Sequence, residues 1–203
     1  MVFSSIIFLL YFLPLFLVAY RFGGAKFQNY ILLFASVVFY GWGAMSFLPI
    51  LLASSVVNYY LVRKLHAMGG VGRGRAVGGA VILNVGILLY FKYANFFVEN
   101  IAPHGFVWED VALPIGISFF SFQSLSYALD VHRKTVKPLD KLSEYLVYIL
   151  SFPQMIAGPI VRFTEVEKEL RNRTVENSAW LYGFYRFTLG LAKKVLIANS
   201  LAM

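Results

Sequence analysis

Five apolar blocks of sixteen to twenty-three residues, at 4–20, 27–45, 47–62, 76–98 and 113–130, constrain this chain more than any other feature. A bilayer's hydrocarbon core is about 30 Å thick and is crossed by about 20 helical residues, so each block is of spanning length or close to it. Lipid offers no partner for backbone N–H and C=O groups, which leaves helices or a closed barrel as the spanning structures. Barrel strands would alternate apolar and polar over about ten residues, and these blocks do not. The expected fold is all-α: a polytopic integral membrane helical bundle with broken or re-entrant helices.

Composition agrees. Of 203 residues, 59% are apolar and only 14% charged, with a mean hydropathy of +0.69. The net charge of +8 does not call for nucleic acid, because Lys and Arg collect in loops. Arg21 and Lys26 follow the first block, Arg63, Lys64, Arg73 and Arg75 the third, and Arg133, Lys134, Lys137 and Lys141 the fifth. The intervening loop at 99–110 carries three acids and no Lys or Arg. Cytoplasmic loops are the positive ones, so 21–26, 63–75 and 131–141 read as cytoplasmic, and 99–110 and the N-terminus as outside. No basic residue precedes Ser4–Tyr20 and no small-residue cleavage site follows it, so it reads as a retained first helix. The expected protein is multi-pass. There is no cysteine, which removes disulfides and thiolate chemistry.

The pattern breaks at Ser151–Phe163, SFPQMIAGPIVRF. Pro153 and Pro159 lack the backbone N–H and clash with the preceding turn; with Gly158 they predict broken chain over 141–163, tolerated at membrane depth only inside protein or against a cavity. Pro114 and Gly116 predict a similar break before the fifth block. Asp140 is the expected N-cap of a helix through 142–150. Thr164 and Glu167 fit a capping box opening an amphipathic surface helix over 164–173, with Glu167–Arg171 and Glu169–Arg173 as i,i+4 ion pairs. A last apolar helix is expected over 177–203.

Chemistry-bearing residues are few. Gln123, Ser126, Tyr127 and Asp130 fall at i, i+3, i+4 and i+7, with Phe122, Leu125 and Leu129 expected on the opposing side. Such a polar stripe either lines a cavity or bridges neighbouring helices. Arg162 is either an interfacial cation or a charge at a cavity mouth facing an anionic donor. His66, His104 and His132 lie in or beside loops without a partner at catalytic spacing, and no residues form a metal-ligand set.

The motifs MVFSSIIFLLYFLP, LLFASVVFYGWG (32–43), LNVGILLYFKYANFF (83–97), LPIGISFFSFQSLSYALDVHR (113–133), SFPQMIAGPIVRF and GLAKKVLIANSLA (190–202) resemble the membrane-bound O-acyltransferase family, in particular its alginate O-acetyltransferase type. The resemblance implies transfer of an acetyl group from a cytoplasmic donor, acetyl-CoA, through a tunnel toward an extracytoplasmic polysaccharide. Its implied location is the bacterial cytoplasmic (inner) membrane, and its implied partners are membrane lipid and a periplasmic acetyltransferase. Tunnel candidates are then Ser118, Gln123, Ser126, Tyr127, Asp130, Gln154 and Arg162. The family's catalytic histidine lies in a Trp-rich W-H-x-S motif that does not occur in these residues, so no catalytic role is carried over. Family members are more than twice this length, which makes the expected domain, 1–203, an N-terminal portion. D-alanyl transfer to teichoic acid, or a non-enzymatic channel or interaction module, are the alternatives.

Overall fold

The structure, a computed structural model, describes residues 3–68, 70–101, 107–155, 158–171 and 177–201. All regular structure among them is helical. A widened π-type turn, Phe8–Phe12, leads into α1, Leu13–Phe22; α2 follows at Gly24–Ala44, α3 at Leu48–Ala67 and α4 at Gly70–Ile101. Two stretches, Lys26–Ala67 and Gly74–Ile101, are long and apolar enough to cross a membrane. A soluble core helix would pass the same test while mostly buried. Only 6% of the second stretch's most apolar window is buried inside the protein, so its apolar side chains face outward.

Leu48–Ala67 and Gly70–Ile101 are helical where a loop over 63–75 was expected. The chain turns at Met68 in extended conformation (φ −91°, ψ 147°), and Gly70, Gly72 and Gly74 of the expected loop sit in the first turns of α4. At about 1.5 Å per residue α4 is about 48 Å long, well beyond the hydrocarbon core. Contacts between α3 and α4 run in opposite order along the two helices: Phe47 meets Phe91, Asn58 meets Asn84, and Leu61 lies beside Gly79. The pair is therefore antiparallel. Lys92 is exposed and lies over the Tyr93 ring at 5.8 Å.

Asn58 and Asn84 join the hairpin at its centre. Each amide donates one N–H to its own helix, Asn58 to the Ser54 carbonyl (3.0 Å) and Asn84 to that of Ala80 (2.8 Å). Each donates the other to its partner's Oδ1, at 3.3 and 2.7 Å. Both residues are fully buried. The reciprocal geometry satisfies every N–H of two groups that apolar surroundings would otherwise penalise.

The next helix, α5, runs from Ile117 to His132. It is shorter at its start than the expected span at 113–130, because residues 113–116 are not helical. The Ile117 N–H reaches the Pro114 carbonyl, and Gly116 has φ 77°, ψ 5°, the geometry of the third residue of a type II turn, which glycine favours. Upstream, Asn95 of α4 holds the extended chain: its Oδ1 accepts the Val111 N–H (2.9 Å) and the Trp108 Nε1–H (3.0 Å), and its Nδ2 donates to the Val111 carbonyl. At the other end of α5 the Thr135 N–H donates to the Asp130 carbonyl and the Lys134 N–H to that of Val131. With Lys134 at φ 62° this is a Schellman closure, lysine standing where glycine is usual.

The remaining helices are α6 (Leu142–Leu150), the single turn α7 (Phe152–Met155), α8 (Phe163–Arg171) and α9 (Asn177–Ala192), which passes through a π-type segment, Lys193–Ala198, into α10 (Asn199–Leu201). Two capping expectations are corrected. The N-cap of α6 is Lys141, with no side-chain cap. Asp140 contributes its carbonyl instead, which accepts the Tyr59 hydroxyl (2.6 Å) and Arg63 Nη1–H (3.0 Å) from α3. Helix α8 begins at Phe163, which puts Thr164 inside the first turn. That start follows from packing: Phe163 is fully buried, in ring contact with Tyr127 and Tyr148 at 5.0 and 5.4 Å. The Glu167–Arg171 pair forms at 3.1 Å; Arg173 lies outside the described residues.

Replacing one amide of the central pair, as in Asn84→Leu, should cost about 1–2 kcal/mol by leaving Asn58 unpaired. The double variant N58L/N84L should cost clearly less than the sum of the two single changes. A double-mutant cycle read by unfolding in detergent measures this; additive losses would show that the amides act independently.

Candidate functional site

Helix α6 stops because its hydrogen-bond ladder cannot continue through Pro153. The Ile149 carbonyl would take the N–H of residue 153, which proline lacks. The ladder has already parted one step earlier: the Phe152 N–H, which would donate to Tyr148, donates instead to Ser36 Oγ of α2 at 3.1 Å. The freed Tyr148 carbonyl accepts two side-chain amides, Gln123 Nε2 of α5 at 3.1 Å and Gln154 Nε2 of α7 at 2.7 Å. Ser151 turns the chain at ψ 111° and takes the N–H groups of Gln154 and Met155 on its own carbonyl. The parted Phe152 N–H and Tyr148 carbonyl are therefore each taken up by side chains of other elements, the kind of compensation that lets broken backbone persist in an apolar setting.

The ring of Phe152 anchors it. It is 3% exposed and lies nearly perpendicular to Phe12 and Phe16, with centroids 5.4 and 5.1 Å apart, and against Phe39 at 5.4 Å. Phe8, Phe12 and Phe16 recur every four residues, one face of a helix; Ser36 and Phe39, three apart on α2, present hydroxyl and ring to the same residue. A second aromatic group closes the other side. Tyr127 packs, tilted, against Tyr145 (5.2 Å) and Tyr148 (6.0 Å). Its hydroxyl accepts the Leu139 N–H at 2.7 Å. The Tyr148 hydroxyl donates to the Val161 carbonyl and that of Tyr145 to Ser124 Oγ.

The sequence-derived site residues do not all meet. Gln123, Tyr127 and Gln154 converge on the break. Ser126, Asp130 and Arg162 line a separate open groove of about 290 Å³ with Phe122, Leu125, Leu129 and Arg133. Ser118 is half-buried, one turn before Phe122 on the same side of α5. The expected separation of a polar stripe from an opposing apolar one is thereby corrected. At about 100° per residue, positions 125, 129, 122, 133, 126 and 130 fill one arc of about 140°. Residues 123, 127, 120, 131, 124 and 128 fill the next, and all six are buried. Gln123 and Asp130 sit at the shared boundary, so spacing alone placed them together.

Sequence reasoning missed Ser36, Ser124 and Arg133. Arg133 was legible: it continues the 122–126–129 series at i+11, but counting it as a loop cation hid it. Ser36 had no such signal, since only tertiary packing brings it to Phe152. Of the prolines and glycines singled out, Pro114 is buried, Pro153 sits in the second position of α7, and Gly158 has φ 118°. His66 is exposed in the last turn of α3 and His132 ends α5; His104 lies outside the described residues.

No protein-family model matches this sequence, and no solved structure does. Curated proteins do. The chain is 39% identical over its whole length to the probable alginate O-acetylase AlgI of Pseudomonas syringae pv. tomato, covering 41% of that protein. It is 38% identical to the Pseudomonas aeruginosa protein of the same name, again covering 41%. The peptidoglycan O-acetyltransferase of Helicobacter pylori is 29% identical over all of the chain and 45% of its own length. The chain thus spans about two-fifths of the length of its curated relatives. Over its whole length the chain is similar to several proteins named alginate O-acetylase and, at lower identity, to one named peptidoglycan O-acetyltransferase.

Proposed function

We propose that this chain is membrane-embedded scaffold of a polysaccharide O-acetyltransferase, which moves an acetyl group from cytoplasmic acetyl-CoA toward an extracytoplasmic polysaccharide, with a periplasmic acetyltransferase as partner. The observation that carries this is the full-length match to proteins named for O-acetylation of two different polymers, alginate and peptidoglycan. Their shared element is the acetyl transfer, and the acceptor is what varies. The geometry supports a scaffold role. Ser36, Gln123 and Gln154 take the parted Phe152 N–H and Tyr148 carbonyl, and the wall so formed between α5 and residues 151–155 would bound the acyl path. His66 and His132 are not part of that arrangement.

The same reading makes the chain polytopic in a bacterial inner membrane with its N-terminus outside. From Arg75 to Glu99 α4 rises about 36 Å, enough to carry the basic and acidic loops to opposite faces of a core about 30 Å thick. The alternation of basic and neutral loops then orients every other span. Alkaline phosphatase fused after residue 105 should be active, and the same fusion after Lys137 inactive; a cytoplasmic reporter at 105 would reverse the topology.

For the chemistry, Gln123→Leu in the full-length protein leaves the Tyr148 carbonyl with one donor fewer. It should lower acetyl transfer about tenfold, equivalent to about 1.4 kcal/mol, at wild-type expression. The 203-residue chain by itself should transfer none. Radiolabelled acetyl-CoA measures both, and transfer by the isolated chain would refute the scaffold reading.

A further inference from the structure

We draw no further inference here: the strongest candidate, the open cavity of about 250 Å³ that Phe3 and Ser4 form with Arg186, Phe187, Gly190 and Leu191 of α9 and Lys194 of the π-type segment, sets two cations beside apolar side chains, and nothing in the structure shows what covers it.

Discussion

The arrangement depends on what happens to one backbone carbonyl and one backbone N–H. Where α6 ends, the Tyr148 carbonyl and the Phe152 N–H part from each other, and each must find another partner in surroundings with little water. An unpaired backbone group costs several kcal/mol in hydrocarbon, more than most single packing contacts return. Ser36 takes the N–H, and Gln123 and Gln154 take the carbonyl. These bonds join α2, α5 and α7 to the end of α6. Around them the rings of Phe12, Phe16 and Phe39 close on Phe152. Aromatic burial supplies much of the attraction, while the hydrogen bonds decide the register at which the break occurs.

The α3–α4 hairpin uses the same economy in an unbroken form. Two asparagines, each bonded to its own helix and to its partner, tie antiparallel helices at mid-length without exposing a polar atom. Asn95 does the equivalent for extended chain at 108–111. Amides recur in these roles because one side chain offers both donor and acceptor. A polar residue in this chain is therefore more often a tie between elements than a reactive group, which accords with scaffold for chemistry performed elsewhere.

The two faces of α5 divide labour. The buried arc containing Gln123, Ser124 and Tyr127 locks the helix to the break and to α6, and the neighbouring arc carries the groove with Asp130 and Arg133. A boundary falling between 123 and 130 explains why residues spaced by seven positions serve different environments.

Apolar block lengths and the proline and glycine positions announced helices of membrane-crossing length and the interruptions at 113–116 and at Ser151, because lipid and missing N–H groups leave the backbone few options. The Glu167–Arg171 pair was legible for the same local reason. Helix ends were not: α4 begins within the glycine-rich residues assigned to a loop, and burial of Phe163 moves the start of α8 ahead of Thr164. Nor could spacing show that Asp130 would stand beside Arg133 and Arg162, or that Ser36 would receive an N–H from 116 residues away. Periodicity along a single helix carries no information about its neighbours. Sequence by itself determined which segments had to be helical and where they had to break. Only the tertiary structure decided which side chains would satisfy the broken ends, since those partners come from helices distant in the chain.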